Sequence, residues 1–468
     1  MQFSKVGDRL WKNTEEWEVK LKPLVILFLV STALSQTPSY PLLDTLADAR
    51  TRQVWNYLQS QYGKKMLSGC WTESQYGGAQ AFHACTGEWP AIFGQDMNSW
   101  YLSRTDPLWI NTWNQTIDQF KTAWSRREII QVNWHWQNVA RKTNGVYTSN
   151  AWSYLTTQEW ADIVTPGTPL YNAMIEDVDY HIVNFLKRLT DATGPIPILF
   201  RPLHEIDGGW FWWTCKSDPA KTAQLFNILQ DRIINYHGMH NLIWIYNPGV
   251  LVDGGSWPPF NVSEYPRRRA FYVGDTHCDI IGIDLYDWDW INRGTYTANG
   301  VDYGKTYRDT WNEMKAITSV KMITLSESQG FPDPEKSFTD SSYAPWLYAL
   351  PWYADSANGV PCSVQKPRVN SPYMINADDL PNFSVAIRPI PARSSARWRV
   401  IGNGYLSISP PDPGEYGLRI LDTQGKTILS SASNRGPSVV RMPGSAGLYF
   451  LSVSGGSGKS ILPIFLTK

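Results

Sequence analysis

Residues 197–205 read Pro-Ile-Leu-Phe-Arg-Pro-Leu-His-Glu, an almost continuous apolar run that finishes on a histidine and a glutamate. A strand buried on both faces by flanking helices has this character, because neither face can alternate with water-facing positions. Similar short runs occur at Lys65–Trp71, Pro90–Met97, Glu128–Trp136, Asn241–Pro248, Ile280–Tyr286, Lys321–Glu327 and Leu350–Tyr353. Between most of them lie helical patterns, namely Thr45–Tyr62, Thr116–Arg127, Tyr171–Leu189, Ala220–Tyr236 and Tyr303–Ile317. Eight strands alternating with helices predict an α/β chain folded as a (β/α)8 TIM barrel over 36–353.

The strand ends carry the chemistry. They close on Asp96-Met97-Asn98, Asn133-Trp134-His135-Trp136, His204-Glu205, Tyr286-Asp287 and Glu327. In this fold the reactive face lies at the C-terminal ends of the strands, so polar and aromatic residues converging there point to a site. Glu205 and Glu327 end the fourth and seventh runs, which sets them on opposite walls of one barrel mouth. Two carboxyls about 5–5.5 Å apart, one protonated and one ionised, are what retaining cleavage of a glycosidic bond requires. The plainer reading of Glu205 is a buried ion pair with Arg201. Asp96, Asp284 and Asp287 read as orienting or backbone-satisfying groups. For Trp134, Trp136, Trp212 and Trp213, packing in the core is at least as good a reading as the cleft.

Lys+Arg and Asp+Glu are each 42, and no basic stripe stands out, which excludes nucleic acid and anionic membrane as partners. The chain has 24 Trp and 24 Tyr against 16 Phe. That excess of amphipathic rings suits a wet cleft for sugars, which have apolar faces and hydroxyl rims. Lys20 and Lys22 precede an apolar run from Leu24 to Leu34, which reads as a secretory signal over 1–35, cut after Ser35. An uncleaved anchor is the alternative. The expected location is therefore secreted or at the cell surface, with no other membrane partner. Cys70 and Cys85 are the pair that spacing suggests for a disulfide, with at least one of the five cysteines free or paired elsewhere. His237 and His240, or His277-Cys278, have no companion donors, so no structural metal is expected.

Residues 354–381 are rich in Pro, Ser and Asn and read as a linker. From 382 to 468 short strands at Arg397–Ser409, Tyr416–Leu421, Thr427–Ser431, Ser438–Met442, Leu448–Val453 and Ile461–Leu466 predict a small antiparallel β-sandwich. Its clearest hairpin joins Tyr416–Leu421 to Thr427–Ser431.

Arg201-Pro202-Leu203-His204-Glu205, followed by Gly209-Trp210-Phe211-Trp212-Trp213, resembles the acid/base region of glycoside hydrolase family 26. Asn133-Trp134-His135-Trp136, Gly282-Ile283-Asp284-Leu285-Tyr286-Asp287 and Ser326-Glu327-Ser328-Gln329-Gly330 resemble further pieces of it in the same order, over roughly residues 40–355. The family is best known for β-mannanases. The resemblance implies a retaining endo-β-1,4-mannanase acting by double displacement on mannan, glucomannan or galactomannan of the plant cell wall. It makes Glu205 the acid/base and Glu327 the nucleophile. His204 would bind sugar hydroxyls at the scissile bond, and His135 would line the non-reducing side. Tyr286 would hydrogen-bond the nucleophile, and Trp210 and Trp352 would stack on sugars. No cofactor is implied. Tyr272-Val273-Gly274-Asp275 and His277-Cys278 depart from the family pattern, which bears on loop shape and substrate choice. Mixed-linkage β-glucan and β-1,3-xylan are the alternative substrates, and a non-catalytic glycan-binding surface protein is the alternative class. The segment from Gly447 to Lys468 resembles C-terminal modules used for sorting in bacterial secretion, and an accessory binding module is the other reading of it.

Overall fold

The computed structural model describes residues 40–72, 78–97, 107–252, 265–287, 297–298, 301–352, 361–383, 397–400, 405–409, 415–421, 426–435, 438–441, 447–455 and 458–466. The expected signal over 1–35 lies outside them. Among the described residues no helix is long and apolar enough to cross a membrane.

Eight parallel strands form the barrel: β1 Met66–Trp71, β2 Ile92–Asp96, β3 Ile129–Asn133, β4 Ile198–Arg201, β5 Leu242–Tyr246, β6 Ile280–Asp287, β7 Met322–Ser328 and β8 Tyr348–Pro351. Each pairs with the next. β8 pairs with β1 through Leu67↔Tyr348, and β5 with β6 through Ile280↔Ile245, so the sheet closes and keeps no free edge. Every residue of β1–β3 and of β4, β5, β7 and β8 is buried, as strands covered on both faces must be.

The helices are α1 Ala49–Gln61, α2 Gly78–Thr86, α3 Pro107–Ser125, α4 Thr157–Ile163, α5 Pro169–Asn184, α6 Pro219–Asp231, α7 Tyr265–Ala270, α8 Tyr303–Ile317, α9 Pro334–Thr339 and α10 Cys362–Val369. Their starts are written locally. Asp48 accepts from the Thr51 amide at 2.7 Å to cap α1, and Thr168 caps α5 ahead of Pro169, whose missing N–H costs nothing there. The barrel interior is tight. A Cβ on Gly282 would lie 2.0 Å from Ser326 Oγ and 2.4 Å from Asn247 Oδ1, so only glycine lets β6 pass those side chains.

Three expectations change. The fourth strand stops at Arg201 instead of Glu205, because Pro202 has no N–H to continue the ladder. The eighth lies two residues earlier than expected, at Tyr348–Pro351. Residues 361–383 are not a linker. They form α10, a short strand Met374–Ile375 paired with the start of β1, and buried contacts through Val369, Leu380 and Phe383. Asn376 closes the N-terminal end of the barrel by accepting from Ser68 Oγ at 2.8 Å. Proline-rich composition hid this segment, because its apolar residues follow no single period.

The cysteine expectation also changes. Cys85 of α2 bonds to Cys362 of α10, 277 residues away, and Cys70 is free and buried in β1.

The C-terminal part holds two antiparallel sheets. One contains Arg397–Val400, Tyr405–Ser409 and Ser438–Arg441; the other has the order Thr427–Arg435, Glu415–Leu421, Gly447–Gly455, Gly458–Leu466. Leu406 and Ile408 from the first sheet share a core with Leu418, Ile420, Leu451 and Val453 from the second. The expected hairpin pairs as read, Leu421 opposite Thr427. The single run Arg397–Ser409 is instead two paired strands, and Gly402-Asn403-Gly404 was the turn signal for it.

Cys362→Ser is expected to destabilise the barrel by about 2–5 kcal/mol. Denaturation with and without reductant checks this: reduced wild type should fall to the variant's midpoint, and the variant should not respond to reductant.

Candidate active site

Arg201, the last residue of β4, is fully buried. A guanidinium cannot lose its proton in a protein, so it must be paired on every side. Its Nη1 donates to both Asp284 oxygens at 2.8 Å, its Nε donates to Asn133 Oδ1 at 3.0 Å, and its Nη2 donates to Glu327 Oε1. Asn133 Nδ2 also approaches Glu327 Oε1, at 3.4 Å. The partners come from β3, β6 and β7, so one side chain ties together strands from across the barrel.

The register of β7 supports this. Ile283 faces Leu325, but Asp284 faces Glu327, so Ser326 is an extra residue in a bulge. A bulge re-aims the side chains that follow it, and here it brings Glu327 level with Asp284 and within reach of Arg201.

Glu205 sits in a different environment. It lies four residues past β4 in a left-handed turn, with φ of 49° at Leu203 and 48° at Glu205. Such backbone strain at a non-glycine residue is commonly kept where a side chain must be aimed. Arg201 is not its hydrogen-bond partner, against the plainer reading of the sequence. Trp210 Nε1 donates to Glu205 Oε2 at 2.7 Å. Burial, reinforced by the charge of Asp284, pushes the Glu205 carboxyl up to about 8, despite that indole and the more distant Arg201. At neutral pH Glu205 therefore holds its proton.

The two histidines form a relay beside it. Asp96 Oδ2 accepts from the His135 backbone N–H at 2.8 Å and contacts His135 Nδ1 at 2.6 Å. A carboxylate can only accept, which places the proton on Nδ1 and leaves Nε2 as an acceptor. His204 Nε2 lies 3.1 Å from that nitrogen and donates to it. Burial, with the Arg201 charge adding to it, drives His204 well below the usual histidine range, so it stays neutral. Its remaining nitrogen, Nδ1, is buried without a partner in the protein. An acceptor left open beside a protonated glutamate is suited to a hydroxyl.

Trp210 is half-buried and its ring lies over Gly208, where a Cβ would be only 2.3 Å from it. Trp134, Trp136, Trp212 and Trp213 are fully buried. Trp136 Nε1 donates to Asp177 at 2.8 Å, and Trp213 Nε1 donates to the His204 carbonyl at 3.0 Å. Trp352 stacks on Trp71 at 4.1 Å and 15°, so one of its faces is already covered. Tyr286 is in β6, but its side chain lies outside the described residues, as does that of Asp287. The structure thus brings Glu205, Glu327, His135, His204 and Trp210 into one linked cluster.

A model of glycosyl hydrolase family 26 matches residues 43–379. The chain belongs to that family. Over 374 residues it is 30% identical to the mannan endo-1,4-beta-mannosidase of Thermothelomyces thermophilus, covering 74% of this chain and 67% of the relative. Mannan endo-1,4-beta-mannosidase B of Piromyces sp is 28% identical over 74% of this chain, which spans only 54% of that relative. Among solved structures, the Podospora anserina GH26-CBM35 beta-(1,4)-mannanase aligns with a TM-score of 0.55 at 25% identity, covering 74% of this chain and 70% of that one.

In this family 26 glycoside hydrolase Asp96 orients His135, as an orienting group should, whereas Arg201 pairs with Asp284 and Glu327 instead of Glu205, and Asn133 had no role read from the sequence. A signal for the Arg201 pairing was present, since an arginine inside an apolar strand is obliged to find buried carboxylates. Which carboxylates it finds depends on barrel closure and the bulge in β7.

Arg201→Met is expected to destabilise the protein by about 3–5 kcal/mol at neutral pH, because Glu327 and Asp284 lose their shared partner. Urea denaturation at several pH values checks it. The deficit should shrink as pH falls and the stranded carboxylates take up protons.

Proposed function

We propose that the protein is a retaining endo-β-1,4-mannanase in which Glu205 is the acid/base and Glu327 the nucleophile. The observation that carries this reading is the opposite treatment of the two carboxyls. One is kept protonated by burial beside an indole donor, and the other faces a permanent cation and an amide. Double displacement needs that division of labour. Glu205 donates its proton to the departing sugar oxygen as Glu327 attacks the anomeric carbon. The ionised Glu205 then takes a proton from water, which releases the sugar from Glu327. His204 Nδ1 would accept from a hydroxyl of the sugar at the scissile bond, with His135 holding its tautomer. Trp210 aims Glu205 and offers a ring face to the next sugar; by the family resemblance Tyr286 would hydrogen-bond Glu327 and Trp352 would stack on a further sugar.

The named activities of the relatives and the ring-rich composition favour β-mannan, glucomannan or galactomannan as substrate. We further propose export, with residues 1–35 as the signal and action outside the cell or at its surface.

Product analysis of wild type and Glu327→Ala with glucomannan, galactomannan and mixed-linkage β-glucan tests the reading. Mannose-linked oligosaccharides are expected from wild type and none from the variant. Release from mixed-linkage glucan alone would keep the mechanism and move the substrate. Equal activity of the variant would reject Glu327. Glu205→Gln is expected to lower kcat by roughly 10²–10⁴-fold on substrates with poor leaving groups. Because Glu205 must carry a proton, kcat/KM should fall as pH rises through about 8.

A further inference from the structure

A groove of about 1030 Å³ lies between α5 and α6. It belongs to the helical layer and shares no residue with the catalytic cluster. Its size is at the upper end of what ligand pockets require. From α5 it takes Tyr171, Asn172 and Glu176, and from α6 it takes Gln224, Asn227 and Asp231.

Three features separate it from an ordinary seam between helices. First, α6 does not end normally. Its last turn, Arg232–Tyr236, is π-helical, and such turns frequently mark functional positions. That turn delivers Tyr236 to the groove with 65% of its surface exposed, too much for a packing role. Second, the exposed ring is held in place. Arg232 lies 3.3 Å from the centre of the Tyr236 ring, and Arg232 Nε donates to Asp179 Oδ1 of α5 at 2.7 Å. His237 Nε2 contacts the same Asp179 oxygen at 2.8 Å. The ring is therefore a pre-set platform, and little ordering is left to be done on binding. Third, Asn227 Oδ1 is buried in the groove wall with no partner, an acceptor waiting for a donor.

The charges decide the ligand class. Glu176, Asp179 and Asp231 outnumber Arg232, which is already paired with Asp179. Anions are disfavoured. An aromatic platform beside carboxylates that accept from hydroxyls, and amides that both donate and accept, suits a neutral sugar chain.

We propose that this groove is a second, non-catalytic binding site for a neutral β-linked polysaccharide strand. The ligand class rests on the proposed function. Engaging the polymer at two places raises the effective concentration of the cleft on long chains and does nothing for short ones.

The test uses the full chain carrying Glu327→Ala, with and without Tyr236→Ala, in affinity electrophoresis on galactomannan, glucomannan, xylan and mixed-linkage β-glucan. Retention by mannans is expected to weaken roughly tenfold without Tyr236 and to survive in Tyr236→Phe, which keeps the ring. In the active background, Tyr236→Ala should leave the rate on short oligosaccharides unchanged, which also reports an intact fold. If mannans are not substrates but Tyr236 governs retention on another neutral glycan, the groove stands and the substrate reading falls. Equal retention with and without Tyr236 on every polymer, or no retention of either protein on any, overturns the proposal.

Discussion

Arg201 is a permanent cation in the middle of a barrel, and the arrangement around it follows from that fact. A buried guanidinium tolerates no unpaired donor, so β3, β6 and β7 must each bring a partner to the same point. The demand fixes more than charge. It sets the height of Glu327 relative to Asp284, and the bulge at Ser326 is how β7 meets it. The same cation keeps Glu327 in contact with a positive charge while Glu205, four residues further along the chain, turns away from it. One arginine therefore gives the two glutamates unlike electrostatic surroundings.

Around this ion cluster the tryptophans act as a scaffold more than as a surface. Trp212 and Trp213 are fully buried, and their ring nitrogens donate to backbone carbonyls of Trp136 and His204. Those bonds fix the loops that carry His135, His204 and Trp210. The ring-rich composition first read as a sugar cleft is thus partly spent on positioning, and the half-buried Trp210 is where scaffold meets cleft. Asp96 extends the same logic, since two contacts from one carboxylate oxygen set the tautomer of His135 and hence the free nitrogen of His204.

Much of the fold was legible along the chain. The runs at Lys65–Trp71, Glu128–Trp136 and Lys321–Glu327 announce buried parallel strands, because doubly covered strands have no polar face to show. The two glutamates stand out as strand-end carboxylates next to motif residues. What failed to show was whatever depends on distant partners. Cys85 and Cys362 are 277 residues apart, and nothing local to either names the other. The segment 361–383 is proline-rich and aperiodic, yet its scattered Val369, Met374 and Phe383 find a barrel surface to cover.

The sequence by itself determined the alternation of strands and helices, the gathering of polar, aromatic and carboxylate residues at and just beyond the strand ends, and the family. These depend on local pattern, and pattern is carried by neighbours along the chain. Tertiary structure alone decided the partners of Arg201, the raised carboxyl of Glu205, the tautomers of the two histidines and the disulfide. Each of those is an electrostatic or covalent relation between side chains brought together by barrel closure. Their distances, and the water excluded around them, exist only once the strands have met.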